Sequence, residues 1–306
     1  MQKWTLKGLK YIQKISHIAG FDVSKAMKPS NLYYQPENDL DLYFEFFSKD
    51  SVKYKRFYNI GAGNFSHPAW TNIDKKSGHY KKMQTGENFI NWDMFSMRPL
   101  PIEDNTAEIV YSSHALEHVP DEYAQFTLNE TYSVLKNKGV VRITVPNIDL
   151  YYAAYCREDT HFFFWKNRYS DVDALERLSL QKPMNQASAA QLFLYEFAVH
   201  VSELHSGGSS EKISDDQLTN IFKSNNYEDA LDYCTSKCLI NIQKRQPFTH
   251  INWYNTKKIM EMMNKAGFDD VRISGYGQSF VPVLRNTLYF DNTYYKTSLY
   301  IETEKN

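Results

Sequence analysis

Between residues 54 and 147 the chain repeats one pattern, a short apolar run that ends on a small or polar residue. The runs are "YKRFYNIG", "WTNID", "NFINWDM", "AEIVYSS" and "GVVRITVPN". Runs of this length, rich in β-branched and aromatic residues and closed by turn formers, read as strands. Their nearly unbroken apolar character suits strands buried on both faces, the condition of a parallel sheet covered by helices. A helical stretch from Asp121 to Leu135 separates the last two, with Phe126, Leu128, Tyr132 and Leu135 at near-helical spacing. The pattern predicts an α/β fold with a mainly parallel central sheet and helices on both faces.

From Leu150 to about Pro247 the alternation stops. This stretch is aromatic early ("LYYAAY", "HFFFW"), helical in the middle ("NQASAAQLFLYEFAVHVSELHS") and broken by "SGGSSEK". Afterwards "NTKKIMEMMNKAGFDDVRISG" reads as a helix with Ile259, Met262 and Met263 on one face, a stop at Gly267, then a strand; "SLYIETEK" supplies a final strand. The expected organisation is an N-terminal helical extension over 1–52 and one domain over 53–306 carrying a helical, lid-like insertion at about 150–248.

Formal charge is −1 over 306 residues, so no global field recruits nucleic acid, and no nucleic-acid partner is expected. No run approaches the roughly 18 apolar residues of a membrane span. Three cysteines, Cys156, Cys234 and Cys238, form an odd and sparse set that suits a reducing compartment, so a soluble, cytoplasmic protein with incidental thiols is expected. Residues 1–20 lack any acid and set Lys3, Lys7, Lys10 and Lys14 beside Trp4, Ile12, Ile15 and Ile18. That segment reads as a packed helix, with peripheral membrane contact or targeting as alternatives. Oligomeric state is not legible.

The first strand ends in Gly61-Ala62-Gly63, where a ligand can approach backbone unobstructed by side chains. A dinucleotide site would need a third glycine at position 66, which is Ser66, and an acid about twenty residues on. Here Asp74 follows Gly63 by only eleven residues, and Pro68 restricts any helix between them. The glycines and Lys-Ser/Thr ending of a P-loop are also missing. A ligand with a ribose and no pyrophosphate fits better, its two hydroxyls donating to Asp74. Asp93, at the end of the third strand, is placed to accept from an adenine amino group beside the backbone of Met94. Ser113 and His114 end the fourth strand, and the carboxyl ends of parallel strands converge on one crevice.

With these features in order, the chain resembles the class I S-adenosylmethionine-dependent methyltransferases, particularly the compact group whose fourth strand reads like "AEIVYSSHALEHV", residues 107–119 here. The resemblance covers about residues 56–150 and resumes near His250 to Gly275. It implies a Rossmann-like methyltransferase fold with S-adenosylmethionine as cofactor. Gly61, Ala62 and Gly63 would line the methionine part, Asp74 the ribose, Asp93 and Met94 the adenine, and Ser113 and His114 would contact the cofactor from the fourth strand's end. The acid that often precedes the glycine turn is Asn59 here, which keeps a polar side chain without the charge.

Methyl transfer from a sulfonium needs positioning above all, with a general base adding about 10²–10⁴-fold for a hydroxyl acceptor. The base candidates are His118 and His250, with structural roles as the alternative for each. His114 and His118 have a spacing that would suit two metal ligands, but "HALEH" is not the H-E-x-x-H order, and no metal is expected. His205 and His250 read as exposed loop residues in their simplest interpretation, and Phe162 to Trp165 as core. The expected reaction is methylation of a small polar acceptor, a hydroxyl of a saccharide or nucleotide-sugar. A lipid or quinone acceptor and a non-catalytic cofactor-binding scaffold are the alternatives.

Overall fold

Seven strands of the computed structural model, which describes residues 39–76, 88–170, 172–207 and 211–306, form one sheet in the order β3-β2-β1-β4-β5-β7-β6. They are β1 (Phe57–Ile60), β2 (Trp70–Asp74), β3 (Phe89–Asn91), β4 (Ala107–Ser113), β5 (Leu135–Pro146), β6 (Arg272–Ser274) and β7 (Ser298–Glu304). The first five run parallel, and β7 alone inserts antiparallel between β5 and β6. This is the mainly parallel sheet that the apolar runs predict and the Rossmann-like fold that the resemblance implies. The chain divides into two compact units, Met1–Phe46 and Phe47–Asn306. Of the first, the described part is the helix α1 (Asp39–Phe46); the lysine-rich residues 1–20 lie outside the described residues.

The order reverses at β1 and β4, whose carboxyl ends lie side by side with Ile60 opposite Ser112. β4 is buried along nearly its whole length, as a central strand covered on both faces must be. Its companions in the core include Ile60, Ile73, Val110, Val141, Ile143 and Ile301 from the sheet, and Leu128, Ile259 and Met263 from helices laid across it. After α2 (Lys49–Lys53), the helices of this core are α3 (Asp121–Val134) and, beyond the insertion, α10 (Thr256–Ala266). Asn255 caps α10 by accepting from the Lys258 N–H, and Gly267 ends it with φ +110° against the Tyr132 ring. No helix separates β1 from β2 among the described residues. The Pro68-containing link between them is only nine residues long and turns instead.

Residues between β5 and α10 build a second core of their own. Its helices are α4 (Ile148–Cys156), α5 (Val172–Arg177), α6 (Ala189–Phe197), α7 (Asp215–Ser224), α8 (Tyr227–Ser236) and α9 (Ile240–Gln243). Phe163, Trp165, Leu192, Phe193, Phe197, Leu218 and Leu231 are buried together, so most of the aromatic run is core, with Phe164 exposed. Tyr155 stacks on Phe193 at 5.2 Å between ring centres. Cys234 is buried, Cys238 half-buried and Cys156 exposed; all three are free thiols. No described helix is long and apolar enough to cross a membrane.

Candidate active site

Two adjoining cavities open at the carboxyl ends of the strands, and they share Gly61, Gly63 and His114. The first is bordered further by Asp74, Lys75, Trp92, Asp93, Met94, Phe95, Ala115 and His118, with Gln243 and Pro247 reaching over from the insertion. The second is bordered by Asn59, Ala62, Phe65, Tyr111 and Ser113, and by Tyr289, Asn292 and Thr293 of the link between β6 and β7. Every residue assigned to the cofactor by resemblance therefore borders one cavity or the other.

The glycine turn is held by hydrogen bonds to β2, and at Gly61 there is no room for a side chain. Gly61 has φ +68°, and a Cβ built on it would lie 2.3 Å from that of Ala115, so glycine is required where β1 and β4 end together. The Gly61 N–H donates to the Ile73 carbonyl at 2.8 Å. Gly63 (φ +52°) donates its N–H to Asp74 Oδ2 at 2.7 Å, and the Lys75 N–H donates to Asp74 Oδ1 at 2.6 Å. Asp74 thus ties the turn to β2 and still has lone pairs toward the cavity. Burial pushes its carboxyl up from the ordinary value against the pull of those two donors.

At the third strand's end, Asp93 Oδ1 caps the short turn Met94–Ser96 by accepting from the Phe95 N–H at 2.9 Å. Its Oδ2 lies 2.9 Å from Lys75 Nζ. Asn59 is buried within β1, and its Oδ1 has no hydrogen-bond partner among the described residues. A buried acceptor in that state costs free energy unless a donor arrives, and Asn59 borders the cavity where one could. Ser113 Oγ accepts from Thr144 Oγ1 at 2.7 Å, which fixes the end of β4 to β5.

His114 follows β4 in the left-handed region, φ +51°, a conformation that costs a non-glycine residue roughly 1–3 kcal/mol. That backbone turns its ring between Ser298, whose Oγ lies 2.7 Å from Nε2, and Glu117, whose Oε1 lies 3.0 Å from Nδ1. Glu117 is fully buried on the turn Leu116–His118 and was not foreseen as a site residue. Neither of its oxygens receives a well-aligned hydrogen bond among the described residues. Burial works to raise its pKa, but the imidazoles of His114, His118 and His250 outweigh it and hold it at about 2. Burial and the neighbouring His118 push His250 the other way, down to about 4. His250 is therefore neutral at neutral pH, and His114, the nearest imidazole, is the group that pairs with the carboxylate.

The two base candidates come together although they are far apart in sequence. Their rings meet edge to face at 4.9 Å. His118 Nδ1 lies 2.9 Å from the Thr249 carbonyl, and His250 Nδ1 lies 2.8 Å from the Glu196 carbonyl. A carbonyl only accepts, so each Nδ1 carries a proton and Nε2 is the nitrogen that can hold a free lone pair. His250 Nε2 is 3.9 Å from Glu117 Oε1. His250 is half-buried rather than an exposed loop residue, and His205 is fully buried 5.7 Å from the His200 ring, because the insertion's core closes over both. Burial also pushes Glu196 up to about 8, leaving a buried carboxylic acid beside the cluster.

Behind the second cavity, Arg142 is fully buried in β5 and uses every donor it has. Nε and Nη2 clamp Asp291 at 3.0 and 2.6 Å, Nη1 reaches Ser274 Oγ and Glu302 Oε2 at 2.8 and 3.1 Å, and Nη2 also donates to the Gly275 carbonyl at 3.0 Å. The Asp291 N–H donates to Tyr111 Oη at 2.7 Å. The link carrying Tyr289, Asn292 and Thr293 is thereby fixed against β4 and β5. A lone arginine inside the apolar run "GVVRITV" was the available sign of this clamp.

Residues 61–143 match the model of a family described as a methyltransferase domain. No curated protein matches the chain. Among solved structures, the chain is similar to an S-adenosylmethionine-dependent methyltransferase from Archaeoglobus fulgidus, at 12% identity over 96% of this chain and 100% of that one, with a TM-score of 0.38. It is also similar to one from Thermotoga maritima, at 13% identity over 82% of each chain and a TM-score of 0.37. A third similarity is to human N-acetylserotonin methyltransferase in complex with S-adenosylmethionine, at 12% identity over 84% of this chain and 50% of that one, TM-score 0.36.

Proposed function

Taking as premise that the chain carries an S-adenosylmethionine-dependent methyltransferase domain, matched over residues 61–143, we propose that it methylates a hydroxyl of a small polar acceptor, of the saccharide or nucleotide-sugar class. When bound, S-adenosylmethionine supplies the activated methyl group. The chain's own residues then have to bind, orient and exclude water. Asp74 would accept from the ribose hydroxyls with the lone pairs left by Gly63 and Lys75, and Asp93 and Met94 would border the adenine. The unpaired Oδ1 of Asn59 would accept from the cofactor's ammonium, an acceptor without the charge of an acid. Gln243 and Pro247 would cover the adenosine from the insertion.

The observation that carries the reading is the convergence of Asn59, Gly61, Gly63, Asp74, Asp93 and His114 on two joined cavities at the strand ends. For a hydroxyl acceptor, support comes from the imidazoles of His118 and His250, whose Nε2 lone pairs could take a proton. Polar and aromatic groups of the second cavity, Tyr289, Asn292 and Thr293, suit a sugar better than an acyl chain. The test is calorimetric titration with S-adenosylmethionine, its demethylated product and NADH. Binding of the first two alone is expected, with a loss of about 1.5–3 kcal/mol in Asp74→Ala. No binding of either would overturn the enzyme reading. Transfer of labelled methyl to a lipid extract, with none to a saccharide panel, would replace the acceptor.

A further inference from the structure

We propose that Glu117, His118 and His250 bind a divalent first-row transition-metal ion beside the cofactor cavity. One oxygen of Glu117 and one nitrogen of each histidine lie within 4.8 Å of one another. Carboxylate and imidazole together are the donor set of zinc and its neighbours, and two histidines with one carboxylate recur in metal sites that keep open positions for a substrate.

The orientation of the three side chains is the stronger argument. Each histidine spends Nδ1 on a backbone carbonyl, Thr249 for His118 and Glu196 for His250. This is the outer contact by which metal-binding histidines are usually held, with Nε2 presented to the ion. Beside those rings lies the fully buried Glu117 carboxylate, with His114 Nδ1 at 3.0 Å from Oε1 and no hydrogen-bond partner for Oε2 among the described residues. His114 answers one oxygen of the carboxylate, but the other oxygen and the Nε2 lone pairs of His118 and His250 remain acceptors clustered within reach of one ion, an arrangement that a cation relieves. At zinc–nitrogen bonds of about 2.0–2.1 Å, tetrahedral ligands stand roughly 3.3 Å apart. The 3.9 Å between Glu117 Oε1 and His250 Nε2 is about 0.6 Å longer, a closure the bound ion would have to draw.

Sequence spacing pointed away from a metal because "HALEH" is not the H-E-x-x-H order; here the third ligand is His250, from the segment that follows the insertion. His118 borders the cofactor cavity, which gives the ion an open side. There it would ligate and orient the acceptor's hydroxyl oxygen, replacing the proton-accepting role that His118 and His250 lose once Nε2 is on the ion; that role rests on the methyltransferase reading, whereas binding of the ion does not.

The test is equilibrium dialysis of the chelator-washed full chain against zinc, manganese and cobalt, with metal counted by mass spectrometry and cobalt followed by its visible absorption. One ion per chain is expected, with affinity reduced at least about tenfold in His250→Ala and Glu117→Gln. His205→Ala, outside the cluster, should bind as the parent does. Because Glu117→Gln could fail to fold, His118→Asn and His250→Ala are compared by circular dichroism first. No retained ion, or equal retention in all variants, would overturn the site. S-adenosylmethionine binding is titrated with and without chelator. Cofactor binding together with no ion retained in the dialysis would sink the metal proposal alone, and ion binding without cofactor binding would sustain it while sinking the function.

Discussion

The sheet core and the insertion core are both built from fully buried apolar residues, yet they hold their polar groups differently. In the sheet, the buried charge is compensated completely: Arg142 has Asp291, Glu302, Ser274 and the Gly275 carbonyl around it. In the insertion, buried His200 and His205 are kept neutral by burial, and both ring nitrogens of His205 lack partners among the described residues. At the core of the sheet the buried ions are closed off in this way, and the amide oxygens of the sheet that are unpartnered among the described residues, Asn59 Oδ1 and Asn72 Oδ1, lie on β1 and β2. In the insertion the unpartnered polarity among the described residues sits at His205 and at Gln246 Oε1, and a chain of hydrogen bonds from His200 through Thr249 to His118 links that region to the site, which suits a part that must respond to ligands or protons.

The largest effect should come from breaking the compensated side. Arg142→Ala leaves Asp291 and Glu302 buried opposite no cation, and removal of one partner of a buried pair costs about 3–5 kcal/mol. Burial already pushes Glu302 up from the ordinary carboxylate value while Arg142 pulls it down, so loss of the arginine favours its protonation. Chemical denaturation should show one destabilised transition for the sheet. The link carrying Tyr289 and Asn292 should gain hydrogen exchange, because the Asp291 clamp to Tyr111 goes with it. A stability within about 0.5 kcal/mol of the parent would mean that the clamp is not the support described here.

A somewhat smaller and more local effect should follow Leu192→Ala. Leu192 is fully buried in the middle of α6, and such truncations cost about 2–5 kcal/mol. If the insertion has its own core, the loss is confined to it. Hydrogen exchange should then speed up across α6 to α8 while β1, β4 and β5 keep the parent's protection. Equal acceleration in the central strands would show that the two cores unfold as one, and the contrast drawn above would fail.

These regions also differ in how much of them the sequence discloses. The strands, the Gly61 turn, Asp74 and the Gly267 stop are local signals, since an apolar run or a glycine at a fixed offset carries its own geometry. The absence of a helix between β1 and β2 was signalled in the same way by Pro68. Glu117 and the meeting of His118 with His250 were not legible, because His118 and its Thr249 partner are 131 residues apart. Nothing in "PFTHINWYN" distinguishes a histidine that returns to the fourth strand from one on an exposed loop. His205 was misread for the same reason: its burial is made by residues folded over it from elsewhere in the insertion.

The smallest effect, and the most direct test of the insertion's uncompensated polarity, is its response to acid. Burial pushes His200 down to about 4, helped by His205 and Lys212; His205 is likewise pushed down to about 4 by burial and Lys212. Lys212 Nζ donates to the His200 carbonyl at 2.7 Å, so a fixed cation stands beside both rings. The unfolded chain takes up protons near the ordinary histidine pKa of about 6.5, and the folded insertion does not until about 4. Stability from these groups is therefore complete above about pH 6.5 and is lost as pH falls toward 4. The contact that breaks is specific, since His200 Nδ1 accepts the Leu239 N–H at 3.1 Å, and a protonated ring cannot. Leu239 opens into α9, where Gln243 borders the first of the two cavities. Hydrogen exchange at residues 239–243, compared with β4 amides at each pH to remove the intrinsic rate, should rise between pH 6.5 and 4.5. His200→Asn keeps a hydrogen-bonding side chain without the titration and should flatten the rise. Persistence of the full rise in that variant would move the acid response to another group and leave the insertion's histidines as packing.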